Sequence, residues 1–289
     1  MPIEFAHSHG HSYPDDWKTG VRPVLVAKLA AIEARVGSRL LRVPRRPDRI
    51  EAPLGPPGSY GAVYQLESFP DRLLKISTDR KEGPYSFYVS QLQALGVESP
   101  SGPVVWASAV IFDVFQIEHE GDFALWGIVV ERLQTLRFQT DEVRIVPPPV
   151  PLWVLGAADR YTDGWDATFG HPIHKFDVDG LRITRRKVKV PADEARGILE
   201  RGLERLEQSG VSRPLADFLR LVLADDMPLT DVHRNNLAIR RGPIEGYSGT
   251  AAGQLVVFDY GASSVSSSVR RAASRKGSLT SFSSRAEAS

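Results

Sequence analysis

Two short segments in the last third of the chain constrain its fold most, because each places polar side chains beside a buried strand. The first reads LTDVHRNNL over residues 229–237, with an aspartate and an asparagine five positions apart. The second reads VVFDYG over residues 256–261, a β-branched run that predicts a buried strand ending in a turn. The two segments therefore predict that Asp231, Asn236 and Asp259 lie together at the ends of short strands.

Two carboxylates and one amide in such a place form the set that phosphoryl transfer requires. One carboxylate accepts the proton of the attacking hydroxyl, while the amide and the other carboxylate hold Mg²⁺ on the triphosphate. The Asp-to-Asn spacing alone is a weak pattern, since an ordinary polar loop between two helices produces it too. The motifs upstream therefore decide between the two interpretations.

A glycine-rich hairpin is predicted before residue 80. GSYGAV at residues 58–63 leads into a strand, and LLKI at 73–76 reads as the next strand after a turn. Glycines at the tip let backbone N–H groups approach phosphates without a Cβ clash, and Lys75 would place its ammonium beneath that tip. The alternative is a plain hairpin that carries a surface lysine.

The region after Lys75 predicts one helix and two strands. A helical segment runs from about Tyr85 to Leu95, and Glu82 at its start is the candidate ion-pair partner of Lys75. The alternative is an exposed first-turn glutamate favoured by the helix dipole. Strand-like runs then cover 104–115 and 123–132, and the second ends in an apolar stretch followed by Glu131.

Taken in order, the glycine-rich turn, the lysine on a strand, Asp-x-His-x-x-Asn and Asp-Tyr-Gly resemble the protein-kinase-like superfamily. The Asp-x-His-x-x-Asn form is closer to its aminoglycoside and choline phosphotransferase branch. The resemblance covers roughly residues 50 to 262, and Pro56 stands where the family has its first glycine. It implies an α+β, two-lobed fold with an antiparallel N-terminal sheet, one N-lobe helix and a mainly helical C-terminal lobe.

The resemblance also implies a role for each matching residue. Lys75 would pair with the α- and β-phosphates of ATP, and Asp231 would be the catalytic base. Asn236 and Asp259 would bind Mg²⁺, with Asn236 counted in the catalytic set. Residues 131–136, beginning at Glu131, would form the hinge whose backbone binds adenine, although an ordinary antiparallel strand fits the same residues. The phosphate-binding lid would comprise Gly58, Ser59, Tyr60, Gly61 and Val63.

Two positions depart from the protein-kinase pattern. Thr230 precedes Asp231 where many protein kinases have an arginine that senses activation-loop phosphorylation, so that route of control is not expected. His233 takes the place of the catalytic-loop lysine, and its role stays open.

The chain divides into four expected regions. Residues 1–50 form a polar arm and a docking helix, 51–133 the nucleotide-binding lobe, 134–262 the catalytic lobe, and 263–289 a disordered Ser- and Arg-rich tail. Prolines around 147–151 argue against regular structure there, although Trp153 and Trp165 suggest packing. Leucine spacing predicts helices over 191–210 and 214–226.

Composition excludes several classes of function. Lys plus Arg (36) nearly balances Asp plus Glu (35), so no global charge points to nucleic acid or an anionic membrane. No stretch approaches the roughly 18 apolar residues of a membrane span. The absence of cysteine excludes disulfides and thiolate chemistry and suits a cytoplasmic protein. A basic run at 182–189 is read as a solvated strand face, with an anion site as the alternative.

The acceptor hydroxyl is the least constrained prediction. A protein Ser/Thr kinase, possibly one that phosphorylates itself, leads because the tail offers hydroxyls beside basic residues. A small-molecule kinase is the second hypothesis, because of the Asp-x-His-x-x-Asn form. A non-catalytic pseudokinase is the third, because of Pro56. The two kinases would use ATP and Mg²⁺.

Overall fold

The computed structural model describes residues 22–43, 46–50, 61–120, 123–136, 150–176 and 182–260. Gly58, Ser59, Tyr60 and the tail at 263–289 lie outside the described residues. Within those ranges the chain is an α+β protein with antiparallel sheets and six α-helices.

The regular elements follow in chain order. The helices are α1 (Arg22–Ala27), α2 (Leu29–Val36), α3 (Glu82–Ala94), α4 (Leu152–Thr168), α5 (Ala192–Glu207) and α6 (Arg213–Ala224). The longer strands are β2 (Arg46–Ile50), β3 (Gly61–Gln65), β4 (Arg72–Ser77), β7 (Ile111–Glu120), β8 (Phe123–Glu131), β10 (Ile173–Phe176) and β11 (Arg182–Val188). The short strands are β1 (Arg42–Val43), β5 (Glu98–Ser99), β6 (Gly102–Pro103), β9 (Gln134–Thr135), β12 (Leu237–Ile239) and β13 (Leu255–Val257).

A four-stranded antiparallel sheet in the order β3-β4-β8-β7 carries the predicted glycine-rich hairpin. Successive side chains of a strand point to opposite faces, so Leu74 and Ile76 enter one core while Lys75 and Ser77 face the other side. Val63 lies opposite Lys75 on β3, on the same face. The strand at 104–115 was predicted too long, because residues Val104–Trp106 form a 3₁₀ turn and β7 begins at Ile111.

Helices α1 and α2 cover the outer face of this sheet. Leu25 and Ile32 are buried in one cluster with the sheet residue Leu74. Arg35 binds Asp113 of β7 through two hydrogen bonds of 2.8 Å. The sequence predicts one continuous helix here, and the structure has two that meet at Lys28. Gly37 follows the second helix as its C-cap, with a left-handed φ of 65°.

Helix α3 packs on the other face and is held from two sides. Its Tyr85 belongs to the main core cluster, which also contains the buried faces of α4, α5 and α6. Tyr85 Oη donates to the carbonyl of Met227 at 2.8 Å, and Tyr88 Oη donates to Asp225 at 2.6 Å. The Tyr85 ring also stacks on Tyr260, with centroids 5.7 Å apart. These contacts fix α3 against the segments that flank the Asp231 loop, which we define as residues 229–236.

Helix α4 is the element that the sequence did not predict. The prolines that argued against structure end at Pro151, which is the N-cap of this 17-residue helix. Its buried face uses small residues, so the usual spacing of large apolar residues is hard to see. A Cβ added at Gly164 would lie 2.6 Å from Leu199 Cα, so that glycine permits the close packing of α4 on α5.

The buried strand predicted before Asp259 is confirmed as β13, which forms a hairpin with β12, and β9 adds a third strand. Three further antiparallel pairs, β1-β2, β5-β6 and β10-β11, complete the described sheets. None of the helices in the described ranges has the length and apolarity that crossing a bilayer requires.

Candidate active site

Lys75 of β4 joins two carboxylates that come from distant parts of the chain. Its Nζ lies 3.1 Å from Oδ1 of Asp259 and forms an ion pair with Oε1 of Glu82 at the start of α3. Glu82 is 2% exposed, so it is not the solvated first-turn glutamate of the alternative interpretation. Lys75 and Asp259, separated by most of the described chain, are therefore in direct contact.

The charges of this trio interact strongly because the site is largely removed from water. Burial opposes the charge of Lys75, but Asp259 and Glu82 outweigh it and hold the pKa of Lys75 above its ordinary value. Burial raises the pKa of Glu82 to about 7; Lys75 acts against that rise and Asp259 adds to it. One ammonium thus faces two carboxylates, and the excess negative charge favours a cation beside Asp259.

The position of Glu82 depends on a glycine in the first turn of α3. A Cβ added at Gly83 would overlap the indole ring of Trp126, which projects from β8 across the start of the helix. Since Trp126 is the cross-strand partner of Ser77 on β4, the close approach brings the helix start to the strand that carries Lys75. Gly83 therefore lets Glu82 reach the ammonium.

We expect Gly83→Ala to destabilise the fold and to weaken the Lys75–Glu82 contact. Alanine favours a helix by about 1 kcal/mol over glycine, but overpacking against a ring costs about 1–3 kcal/mol, so the net change is a loss. Urea unfolding and ATP turnover measure the two effects. Gly197→Ala is the matched control, because there the new Cβ meets only the end of the flexible Arg201 side chain. Equal stability of the two variants would contradict the prediction.

The Asp231 loop is tied to α4 by side chains that satisfy its backbone. The N–H of Val232 donates to Oγ1 of Thr162 at 2.8 Å, and the N–H of Arg234 donates to Oδ1 of Asp159 at 3.0 Å. The Arg234 guanidinium also pairs with Asp159, whose side chain is 2% exposed. Because two residues one turn apart on a buried helix hold the loop, its geometry is fixed before any ligand arrives.

Asn236 and Asp259 are adjacent through the β12-β13 hairpin. The N–H of Phe258 donates to the carbonyl of Asn236 at 3.1 Å, and Leu237 pairs with Val257. The side-chain amide of Asn236 donates to the carbonyl of Asp231 at 2.9 Å, which leaves its Oδ1 to act as an acceptor or a metal ligand.

The donor set here fits Mg²⁺ better than a softer metal. Mg²⁺ prefers oxygen ligands and is usually held by one or two carboxylates together with phosphates and water. The carboxylate of Asp259 is one-third exposed, and Asn236 Oδ1 would be a second oxygen ligand. Among the described residues no group of three or more His, Cys, Asp or Glu side chains could hold a metal ion.

Asp231 faces a pocket of about 270 Å³ that lies between its loop and α4. Burial raises the pKa of Asp231; His233 lowers it, while Asp259 and Asp166 add to the rise. His233 Nε2 lies 3.2 Å from Asp231 Oδ1. The pocket is lined by Asp159, Thr162, Asp163, Asp166, Asp231, His233, Arg234 and Asn235.

Of the predicted lid, the structure describes only Gly61 and Val63. A Cβ added at Gly61 would lie 2.7 Å from the carbonyl oxygen of Ile76 and 3.5 Å from Lys75 Cε, so glycine keeps this approach to the lysine open. Val63 is half-buried on the face that carries Lys75. Both lie where a lid over the lysine would begin.

Glu131 has a structural partner that the sequence reasoning missed. Its side chain is buried and forms an ion pair with Arg240, with Nε 3.1 Å from Oε2. Its N–H donates to the carbonyl of Val110, and the N–H of Arg132 donates to Asp71. The backbone N–H groups of Glu131 and Arg132 are therefore already used within the fold. The sequence offered one signal of this ion pair, which is that Arg240 directly follows the apolar run LAI.

Comparisons with known proteins give little support beyond this geometry. No protein-family model matches the chain, and no curated protein matches it at a significant level. Solved structures do match, among them the MAP kinase LmaMPK10 from Leishmania major, at 13% sequence identity and a TM-score of 0.24. That match covers 54% of this chain and 45% of the kinase chain, so the chain spans less than half of its length. A likeness this weak carries no argument about function, which has to rest on the residues of this chain.

Proposed function

We propose that this chain is a phosphotransferase that uses ATP and Mg²⁺ and moves the γ-phosphoryl group to a hydroxyl acceptor. The observation that carries the proposal is the contact of Lys75 with both Glu82 and Asp259. Lysine held by a helix glutamate, beside a second carboxylate at a strand end, is an arrangement suited to a metal-bound triphosphate. The two-lobed division at residues 51–133 and 134–262 is part of the same proposal.

Each residue of the cleft has a defined task in this scheme. When bound, ATP supplies the transferable phosphoryl group, and Mg²⁺ partly neutralises the negative charge of the phosphates. Asn236 Oδ1 and Asp259 would hold the metal, and Lys75 would bind the α- and β-phosphates. Asp231 orients the acceptor hydroxyl and takes its proton, a task for which a carboxylate in a fixed loop is suited.

The nucleotide would lie between the glycine-rich hairpin and the hinge. Backbone N–H groups of the hairpin would cover the phosphates, namely those of Gly58, Ser59, Tyr60, Gly61 and Val63. At the glycines no Cβ would hinder the approach of the phosphates. Adenine would bind the segment that begins at Glu131, through donors beyond Arg132.

The charge around Asp231 favours an acceptor that carries positive charge. The pocket beside Asp231 is lined by four carboxylates and one guanidinium, and Arg234 pairs with Asp159. The tail at 263–289 carries five Lys or Arg residues and one Glu among eleven serines and one threonine. A Ser/Thr hydroxyl of a basic peptide, including the chain's own tail, is therefore the leading acceptor.

A small-molecule acceptor is the second candidate, and the size of the pocket favours it. A volume of about 270 Å³ beside the proposed base accommodates a compact hydroxyl compound, and the acidic lining would select one that carries an amine. This matches the Asp-x-His-x-x-Asn form of the loop.

One experiment separates these possibilities. The purified chain, with and without residues 263–289, is incubated with Mg²⁺ and labelled ATP, and the intact mass is read. Phosphates that map to the tail support self-phosphorylation, whereas turnover only with an added amino-alcohol or aminoglycoside supports the small-molecule kinase. Binding of ATP without transfer to any acceptor overturns the enzymatic proposal in favour of a pseudokinase.

A further inference from the structure

His233 bridges the proposed base and the backbone of its own loop. Its Nδ1 lies 3.1 Å from the backbone nitrogen of Asn235, and its Nε2 lies 3.2 Å from Oδ1 of Asp231. His233 is also the N-cap of the 3₁₀ turn Arg234–Asn236, with an extended backbone at φ −79° and ψ 166°. One ring thus closes the loop at both of its nitrogens.

These two contacts define which ring nitrogen carries the proton. A backbone N–H can only donate, so Nδ1 has to be the acceptor and carries no hydrogen in the neutral ring. The hydrogen of the neutral imidazole is then on Nε2, the nitrogen that lies 3.2 Å from Oδ1 of Asp231. Protonation of Nδ1 would place two hydrogens against each other and break the cap.

His233 is close enough to constrain the carboxylate of Asp231. Its Nε2 lies within hydrogen-bond distance of Oδ1, and the side chain of Asn236 is a second neighbour of the carboxylate. The main-chain carbonyl of Asp231 is held separately by the Asn236 amide. Asp231 is therefore contacted both at its side chain and at its main chain.

We propose that His233 is a positioning residue, whose Nε2–H orients Asp231 for proton acceptance while its Nδ1 caps the loop. The inference rests on the proposed function, because it assigns His233 a part in that reaction. Arg234 and Val232, which flank it, are already held by α4, so the imidazole acts on a loop whose backbone is anchored on both sides.

Two substitutions separate the two contacts of the ring. Glutamine places an amide N–H near the position of Nε2, so His233→Gln keeps a donor for Asp231 and loses the cap. Asparagine is a strong N-cap residue but is too short to reach Asp231, so His233→Asn keeps the cap and loses the donor. His233→Ala loses both.

We expect His233→Asn to lower kcat about 10- to 100-fold, the effect of losing a hydrogen bond to a charged group, with an unchanged KM for ATP and an unchanged melting temperature. His233→Gln should retain most of the wild-type kcat and lose some thermal stability. The assay is steady-state transfer from Mg·ATP in the full chain. Wild-type kcat in His233→Asn, or a kcat in His233→Gln no better than in His233→Asn, would overturn the inference.

The position of the hydrogen on the His233 ring can be measured by NMR, independently of any enzymatic activity. Long-range ¹H–¹⁵N correlation spectra of the wild-type chain should show His233 protonated at Nε2 and not at Nδ1. A ring protonated at Nδ1 overturns the inference whatever the kinetics. An Nε2-protonated ring in a wild type that transfers no phosphoryl group overturns instead the proposed function, and with it the reaction that His233 would serve.

Discussion

Asp231→Ala should lower phosphoryl transfer by at least about 10²- to 10⁴-fold while leaving ATP binding intact, because a positioned general base contributes a factor of that size. The carboxylate contacts His233 and faces the acceptor pocket, whereas Lys75 and Asp259 form a separate contact with each other. Turnover is measured with labelled ATP, and the Kd of Mg·ATP is measured by calorimetry. A loss of turnover at constant Kd is the expected result.

Two further variants distinguish a loss of catalysis from a loss of folding. Asp231→Asn preserves the shape of the side chain and its contact with His233 but cannot take a proton, so its loss should match that of alanine. Glu245→Ala removes an exposed carboxylate from the loop between β12 and β13 and should leave turnover unchanged. Equal turnover in wild type and both Asp231 variants would remove Asp231 from the mechanism.

Local patterns predicted the elements that surround the cleft. Alternation in LLKI placed Lys75 on the opposite face from Leu74 and Ile76, and the β-branched run before Asp259 gave the second strand of the hairpin. These predictions were confirmed because the face to which a strand residue points follows from the alternation of its neighbours in sequence. The order of the motifs then predicted that Lys75 and Asp259 lie together, although nothing local required it.

Features that depend on distant partners were beyond the sequence. The local sequence made Glu82 a candidate partner of Lys75 but left an exposed helix-start residue open. The approach of Gly83 to Trp126, which brings its helix onto the sheet, is not a local feature. Helix α4 could not be predicted because its packing face is built from small residues such as Gly164. The role of this glycine, which is to allow close packing on α5, is visible only in the folded chain. The loop anchors Asp159 and Thr162 lie on that helix, so missing it also hid what holds Asp231 in place.

The buried ion pair of Glu131 and Arg240 is the position where a single substitution should cost the most stability. Arg240 is 1% exposed and donates to the carbonyls of Val105 and Ser108 at 2.7 and 2.8 Å as well as to Glu131. It therefore ties the end of β8 to the hairpin that carries Asn236 and Asp259. Sequence offered little sign of this, because an arginine at a strand end is ordinarily exposed.

Arg240→Met should destabilise the chain by about 3–5 kcal/mol, since it leaves Glu131 as a buried charge without its partner. Urea unfolding at neutral pH measures the change, and Arg241→Met, at the exposed neighbouring position, should stay within about 0.5 kcal/mol of wild type. A loss in Arg240→Met no larger than in that control would show that the ion pair contributes little.

The same variant should lose more stability as the pH rises. Burial raises the pKa of Glu131 and Arg240 works against that rise, so removing the guanidinium raises the pKa of the folded state further. The folded variant then binds a proton more tightly than the unfolded chain does. Its stability therefore falls as the pH rises above the ordinary glutamate range of about 4.3.

A second substitution should reverse most of that loss. In Glu131→Leu with Arg240→Met both charges are gone, and apolar side chains in place of a buried ion pair are often neutral or stabilising. We expect the double variant to be more stable than Arg240→Met alone and to lack its pH dependence. A double variant as unstable as the single one would mean that the carbonyls of Val105 and Ser108, left without the guanidinium, cause the loss instead.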